Sequence, residues 1–271
     1  MAGLTWEIVG LGLFTGFTIF LGLPVARAGG LSDRTRASLA AIAVGILLFL
    51  FVDVLSNAHA IVVASLGTRS SAAVLTAAGN LVALLVGFSV GVVSLLGAER
   101  LFTRRLRRGA AEPGTIEATP IQPLHLSTMI AVGIGLHNLS EGLAIGAAFS
   151  AGLPLAVVLV VGFAAHNSTE GFGILAPGMM AGSRYSVRRL AALGLIGGGP
   201  TFVGTVVGAL LTSDVLSVVF YGLAAGAILY VVLQMSRPML APATKNVVVM
   251  FVVVGFLLGV LTDFLVTLGG G

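Results

Sequence analysis

Two five-residue runs place titratable side chains where the surrounding sequence is apolar: His137-Asn138-Leu139-Ser140-Glu141 and His166-Asn167-Ser168-Thr169-Glu170. In each, a histidine precedes a glutamate by four positions. On an α-helix that spacing puts both side chains on one face, one turn apart. Two imidazoles and two carboxylates make a nitrogen and oxygen donor set suited to a borderline divalent cation, with Zn²⁺ the usual occupant. Two ionised carboxylates would repel each other in hydrocarbon, and a bound cation removes that penalty. Asn138 and Asn167 stand at matching places and offer amide oxygens, either as further ligands or as groups that orient the site. A polar cluster that only holds helices together is the alternative reading. Four titratable groups are more than helix adhesion requires.

The rest of the chain offers few other candidates. There is no cysteine, so neither a disulfide framework nor a thiolate site is available. Asp53 and Asp263 also lie within apolar stretches, and Asp53 is a candidate for the metal pathway or for proton coupling. Glu7, His59 and His125 fall near the ends of apolar stretches and read as interfacial.

The elements that must position these residues are membrane helices. Of 271 residues 57% are hydrophobic and 9% charged, with a mean hydropathy of +1.11, against about 25% charged in a soluble domain. Continuous apolar runs long enough to span a bilayer exclude a barrel and predict an all-α integral membrane protein. Spans are expected near 6–26, 37–57, 72–96, 126–149, 154–180, 188–212, 216–236 and 247–268. The first has no basic region before it and is read as a true helix rather than a signal peptide.

Charge placement orients these eight spans. Of the 14 basic residues, all but Arg69 fall in the connections after spans one, three, five and seven. By the positive-inside rule those connections are cytoplasmic and both termini exterior. The pI near 10.3 therefore reports topology, and no nucleic-acid partner is expected. The stretch from about 97 to 125, with Pro113, Pro120, Pro123 and an arginine cluster at its start, reads as a cytoplasmic loop within a single transmembrane domain covering 1–271. The connection around Ser150 to Pro154 is short, so spans four and five are antiparallel neighbours and their motifs can converge. Glycines four apart, as in Gly87/Gly91 and Gly204/Gly208, mark close helix packing.

With these features together, the sequence resembles the ZIP (Zrt/Irt-like protein) family of divalent metal transporters. GLHNLSEGLAIGAAF at 135–149 and AAHNSTEGFGILAP at 164–177 are similar to that family's fourth- and fifth-span motifs, including Pro177. The resemblance implies a transported-metal site of His137, Glu141, His166 and Glu170. It also implies a neighbouring subsite that shares both glutamates and adds Asn138 and Asn167. Where some members supply a further acid from span six, this chain reads Gly197-Gly198-Gly199-Pro200, and span seven carries Gln234-Met235 where many members have glutamates. One principal metal site is therefore expected. The resemblance further implies an elevator-like movement of spans one, four, five and six against spans two, three, seven and eight, and it is compatible with a homodimer.

The function expected is transport of divalent cations, chiefly Zn²⁺ with Fe²⁺, Mn²⁺ and Cd²⁺ as further candidates, toward the cytoplasm across the cell membrane. No resident cofactor is expected, and no enzyme activity. Two alternatives stay open: an intramembrane zinc metalloenzyme, which would need a separate general base, and a proton-coupled carrier of another substrate. Neither motif is HExxH.

Overall fold

The computed structural model describes residues 5–24, 32–67, 70–109, 123–151, 153–211, 213–239 and 245–268. Every regular element among them is a helix: α1 (Trp6–Phe17), α2 (Ile19–Gly22), α3 (Asp33–Ala64), α4 (Ser71–Gly109), α5 (Pro123–Ala151), α6 (Leu153–Met180), α7 (Val187–Leu210), α8 (Asp214–Met239) and α9 (Lys245–Leu268). With α1 and α2 taken as one interrupted segment, these fall on the eight expected spans. Six of them are long and apolar enough to cross a bilayer, and Trp6–Gly22 is a shorter apolar stretch. The protein is an all-α, multi-pass membrane protein.

Local chemistry sets several boundaries. Ser32 and Ser186 cap α3 and α7, each side chain accepting a backbone N–H from the first turn, Thr35 and Arg189 respectively. The break between α1 and α2 falls at Thr18, whose hydroxyl donates back to the Thr15 carbonyl at 2.6 Å. Prolines do not end α6 or α7: both helices continue through Pro177 and Pro200. Pro200 lacks the N–H that would bond the Ile196 carbonyl, and Gly135 of α5 packs against that carbonyl and the proline ring.

One boundary differs from expectation. The helix α4 runs on to Gly109, so the first part of the stretch read as a loop from 97 is helical, and α5 begins at Pro123. Residues 97–109 contain no proline and include five arginines and two leucines, all good helix formers. Residues 110–122 lie outside the described residues.

The helices pack as two groups. In one, α7 lies along α5 and α1, and α6 joins α5, α1 and α2; in the other, α3 packs on α9 and α8, and α4 on α8. Within each group backbones touch. A Cβ at Gly87 would sit 2.6 Å from the Val219 carbonyl oxygen, and one at Gly222 2.6 Å from that of Leu84. Gly142 and Gly146 of α5 likewise meet Thr201 and Thr205 of α7, while Gly204 and Gly208 meet Leu139 and Leu143. The groups meet along α5 with α8 and α3 with α6, and there the fit is looser. A Cβ at Gly133 would find its nearest atom, the Ala227 methyl, at 3.5 Å, and one at Gly173 the Ala43 methyl at 3.9 Å.

Arginines gather at one end. The Arg36 guanidinium lies against Gly182, and Arg189 donates to the Leu124 carbonyl at 2.8 Å, so the starts of α3, α5 and α7 share that end. Tyr185 is buried there, its hydroxyl 2.7 Å from Ser127 of α5 and donating to the Leu175 carbonyl of α6.

Candidate metal centre

His137, Asn138 and Glu141 of α5 and Asn167 and Glu170 of α6 are all buried, none more than 5% exposed. His137 sits between the two carboxylates: its Nε2 is 3.2 Å from Glu141 Oε1 on the same helix and 3.7 Å from Glu170 Oε1 on the next. The helical backbone carries His166 one turn before Glu170, but its side chain lies outside the described residues. Among the described residues no group of three or more His, Asp or Glu side chains has the arrangement of a metal cluster; the two carboxylates converge on one imidazole nitrogen.

The two asparagines have a role that sequence spacing did not reveal. Each turns its amide nitrogen to a backbone carbonyl, Asn138 to Gly197 of α7 at 3.0 Å and Asn167 to Thr15 of α1 at 3.1 Å. A carbonyl can only accept, so the nitrogen must be the atom in contact and the amide oxygen must point the other way. Both Asn138 Oδ1 and Asn167 Oδ1 are buried without a hydrogen-bond partner among the described residues, as is Glu141 Oε2. Oxygens left in this way could hold a cation, because burying an oxygen lone pair without a proton or an ion is costly. The same bonds explain the break at Thr18. Thr15 and Thr18 give α6 two carbonyls to dock on, with Ser168 Oγ reaching the Thr18 oxygen at 3.3 Å.

Asp53 of α3 is within electrostatic range of both His137 and Glu141, and Asp263 of α9 is within range of Asp53. Asn57 holds Asp53 from one turn away, its amide nitrogen 3.1 Å from Oδ1. Tyr221 of α8 faces the same charges, Asp53 and Glu141. Nothing in the spacing of the sequence marked that tyrosine.

A separate polar group joins α4 to α8. Glu99 accepts hydrogen bonds from the Tyr230 hydroxyl and, at 3.0 Å, from Gln234 Nε2. Reading 97–125 as a loop hid this, since Glu99 becomes a helical, half-buried residue only because α4 continues.

No match was found among curated proteins. A family model described as ZIP zinc transporter matches residues 111–267, a stretch that includes α5 to α8, all but the last residue of α9, and both His-Asn-x-x-Glu runs. The match covers more than half of the chain, and the buried imidazole and carboxylates lie inside it. The chain belongs to the ZIP zinc transporter family.

Proposed function

We propose that the protein carries divalent metal cations, Zn²⁺ first among them and Fe²⁺, Mn²⁺ and Cd²⁺ as further candidates, across the cell membrane toward the cytoplasm. The site is His137, Glu141, His166 and Glu170, with Asn138 and Asn167 contributing amide oxygens. The observation that carries this reading is the position of His137 Nε2 between two buried carboxylates from different helices. An arriving cation exchanges those imidazole–carboxylate contacts for its own bonds to the same atoms, at about 2 Å each. The proton on the imidazole must leave as it does so.

Asp53 stands on the path. Its charge acts on His137, so it draws a cation toward the site or takes up the proton the site releases. Movement follows the seam between the two helix groups. Backbone-to-backbone packing within each group favours bodies that move as units, and the looser contacts at Gly133 and Gly173 favour sliding between them. On this reading α1, α2, α5, α6 and α7 carry the ion past α3, α4, α8 and α9. Both termini face the exterior, and two copies pair in the membrane.

The deciding experiment is uptake into proteoliposomes with a panel of divalent ions, comparing wild type with Glu141→Ala. Uptake by the wild type that disappears in a folded Glu141→Ala protein supports the reading. Absence of flux for every ion, or metal-dependent hydrolysis of lipid or peptide without flux, overturns it.

A further inference from the structure

Threonines buried in α1 and α7 follow a common pattern with one exception. Thr15 Oγ donates to the Leu11 carbonyl at 2.9 Å and Thr205 Oγ1 to the Thr201 carbonyl at 2.8 Å, each four residues back along its own helix. Thr201 is completely buried, yet its Oγ1 has no hydrogen-bond partner among the described residues. Its natural acceptor, the Gly197 carbonyl four residues back, is taken. That oxygen has two lone pairs; the helix ladder uses one for the Thr201 N–H, and Asn138 Nδ2 uses the other. The amide that anchors Asn138 thus competes for the acceptor the Thr201 hydroxyl would use.

Thr201 also lies against two helix segments that carry or hold groups of the proposed site. Gly142, the residue after Glu141, packs on the Thr201 backbone. A Cβ at Gly16 would lie 3.4 Å from the Thr201 Cβ, and Gly16 follows Thr15, whose carbonyl holds Asn167. The residue therefore lies between the α5 segment that carries Asn138 and Glu141 and the α1 segment whose Thr15 carbonyl holds Asn167. All four side chains present a buried oxygen without a partner among the described residues: Asn138 Oδ1, Asn167 Oδ1, Glu141 Oε2 and Thr201 Oγ1.

We infer that Thr201 Oγ1 is an oxygen ligand for the transported cation, forming with the amide oxygens of Asn138 and Asn167 and the Glu141 carboxylate an oxygen pocket beside the imidazole of His137. The inference rests on the metal-carrier reading of the site and adds a residue that sets its selectivity. Imidazole favours Zn²⁺, whereas carbonyl, carboxylate and hydroxyl oxygens suit harder ions such as Mn²⁺. Three of the four oxygens are uncharged, so the pocket holds its ion weakly and for a short time, as a transit position requires.

The test replaces Thr201 with Val, which keeps the branched shape and removes the hydroxyl, and with Ser, which keeps the hydroxyl. Binding of Zn²⁺ and of Mn²⁺ is measured on purified protein, with competition uptake in proteoliposomes. Thr201→Val is expected to lose about tenfold in Mn²⁺ affinity, with a smaller loss for Zn²⁺, and Thr201→Ser to restore the wild-type ratio. Thr201→Ala serves in the same way if Val disturbs folding, since it removes the hydroxyl without adding a methyl. An unchanged Mn²⁺ to Zn²⁺ ratio in the hydroxyl-free variants, or an equal loss in the Ser and Val proteins, overturns the inference. Absence of binding by the wild type would instead overturn the carrier reading itself.

Discussion

His137 Nε2 and Glu170 Oε1 are 3.7 Å apart across the interface of α5 and α6, longer than the 3.2 Å that separates the same nitrogen from Glu141 Oε1 within α5. The inner contact comes from helical spacing alone, whereas the outer one depends on how two helices are docked. On the proposed function, a cation bound between these groups would replace both contacts with its own bonds and tie the two helices together.

Glu170→Gln is the most direct probe of that tie. The amide keeps the shape of Glu170 but loses the anionic oxygen from the second helix. Metal affinity should fall by at least about 10–100-fold, while the detergent-solubilised protein still elutes as a single folded species. Titration calorimetry with Zn²⁺ reads the affinity, and an unchanged dissociation constant would remove Glu170 from the site.

Binding should also be coupled to protons. The ion requires neutral imidazole and ionised carboxylate, so protons compete with it at His137 and at both glutamates. Affinity is therefore highest at neutral to mildly alkaline pH and falls as pH falls. Addition of Zn²⁺ to protein in weak buffer should release protons, seen with a pH indicator dye, and the release should shrink in His137→Ala. Proton release that is the same in both proteins would place the coupling elsewhere.

What could be read from sequence was whatever depends on one helix at a time. Span positions follow from apolar length, and the shared face of His137 and Glu141 follows from a four-residue interval. The bonds from Asn138 to Gly197 and from Asn167 to Thr15 span 59 and 152 residues of chain, and no local pattern encodes them. Polarity placed Glu99 in a loop, because charge normally ends a span. The structure instead satisfies it with Tyr230 and Gln234 from α8, partners visible only once the helices are packed.

Asn167 should matter for assembly as well as for binding. Its amide nitrogen is held by the Thr15 carbonyl beside the α1–α2 break, and Asn167→Ala removes that bond from a buried place. The cost should be about 1–3 kcal/mol, measured as a lowered melting temperature in detergent in the absence of metal. Asn167→Asp keeps the volume but cannot donate when ionised, so it should be no more stable than Ala. If both variants melt with the wild type, the Asn167 amide does not hold α6 to α1.

On the proposed function Asp53 acts from a distance, and its variant should show that. Because its charge reaches His137 without an ion-binding contact to it, Asp53→Asn should leave the stoichiometry of bound Zn²⁺ unchanged and slow uptake at low metal concentration. Uptake kinetics in proteoliposomes separate the possibilities: a raised KM with kcat retained marks attraction of the cation, and a lowered kcat with KM retained marks a role in proton transfer. Wild-type values for both would take Asp53 off the pathway.

The glycines test whether the two helix groups are separate bodies. Gly142 and Gly133 lie on the same helix nine positions apart, yet they face different neighbours. A methyl at Gly142 would overlap the Thr201 backbone, whereas one at Gly133 meets the Ala227 methyl at 3.5 Å, an ordinary contact. Gly142→Ala should therefore force α5 and α7 apart at a cost of about 1–3 kcal/mol or more, lowering the yield of folded protein. Gly133→Ala should fold as well as wild type. If the seam slides during transport, the added methyl at Gly133 still passes across α8 in every cycle, and Gly133→Leu, which fills that gap further, should slow flux while leaving Zn²⁺ binding intact. Gel-filtration monodispersity, binding and flux measured on the three variants resolve these effects. Equal folding defects at Gly133 and Gly142 would mean that the seam is packed as tightly as the interior of either group, and transport would then need a different moving part.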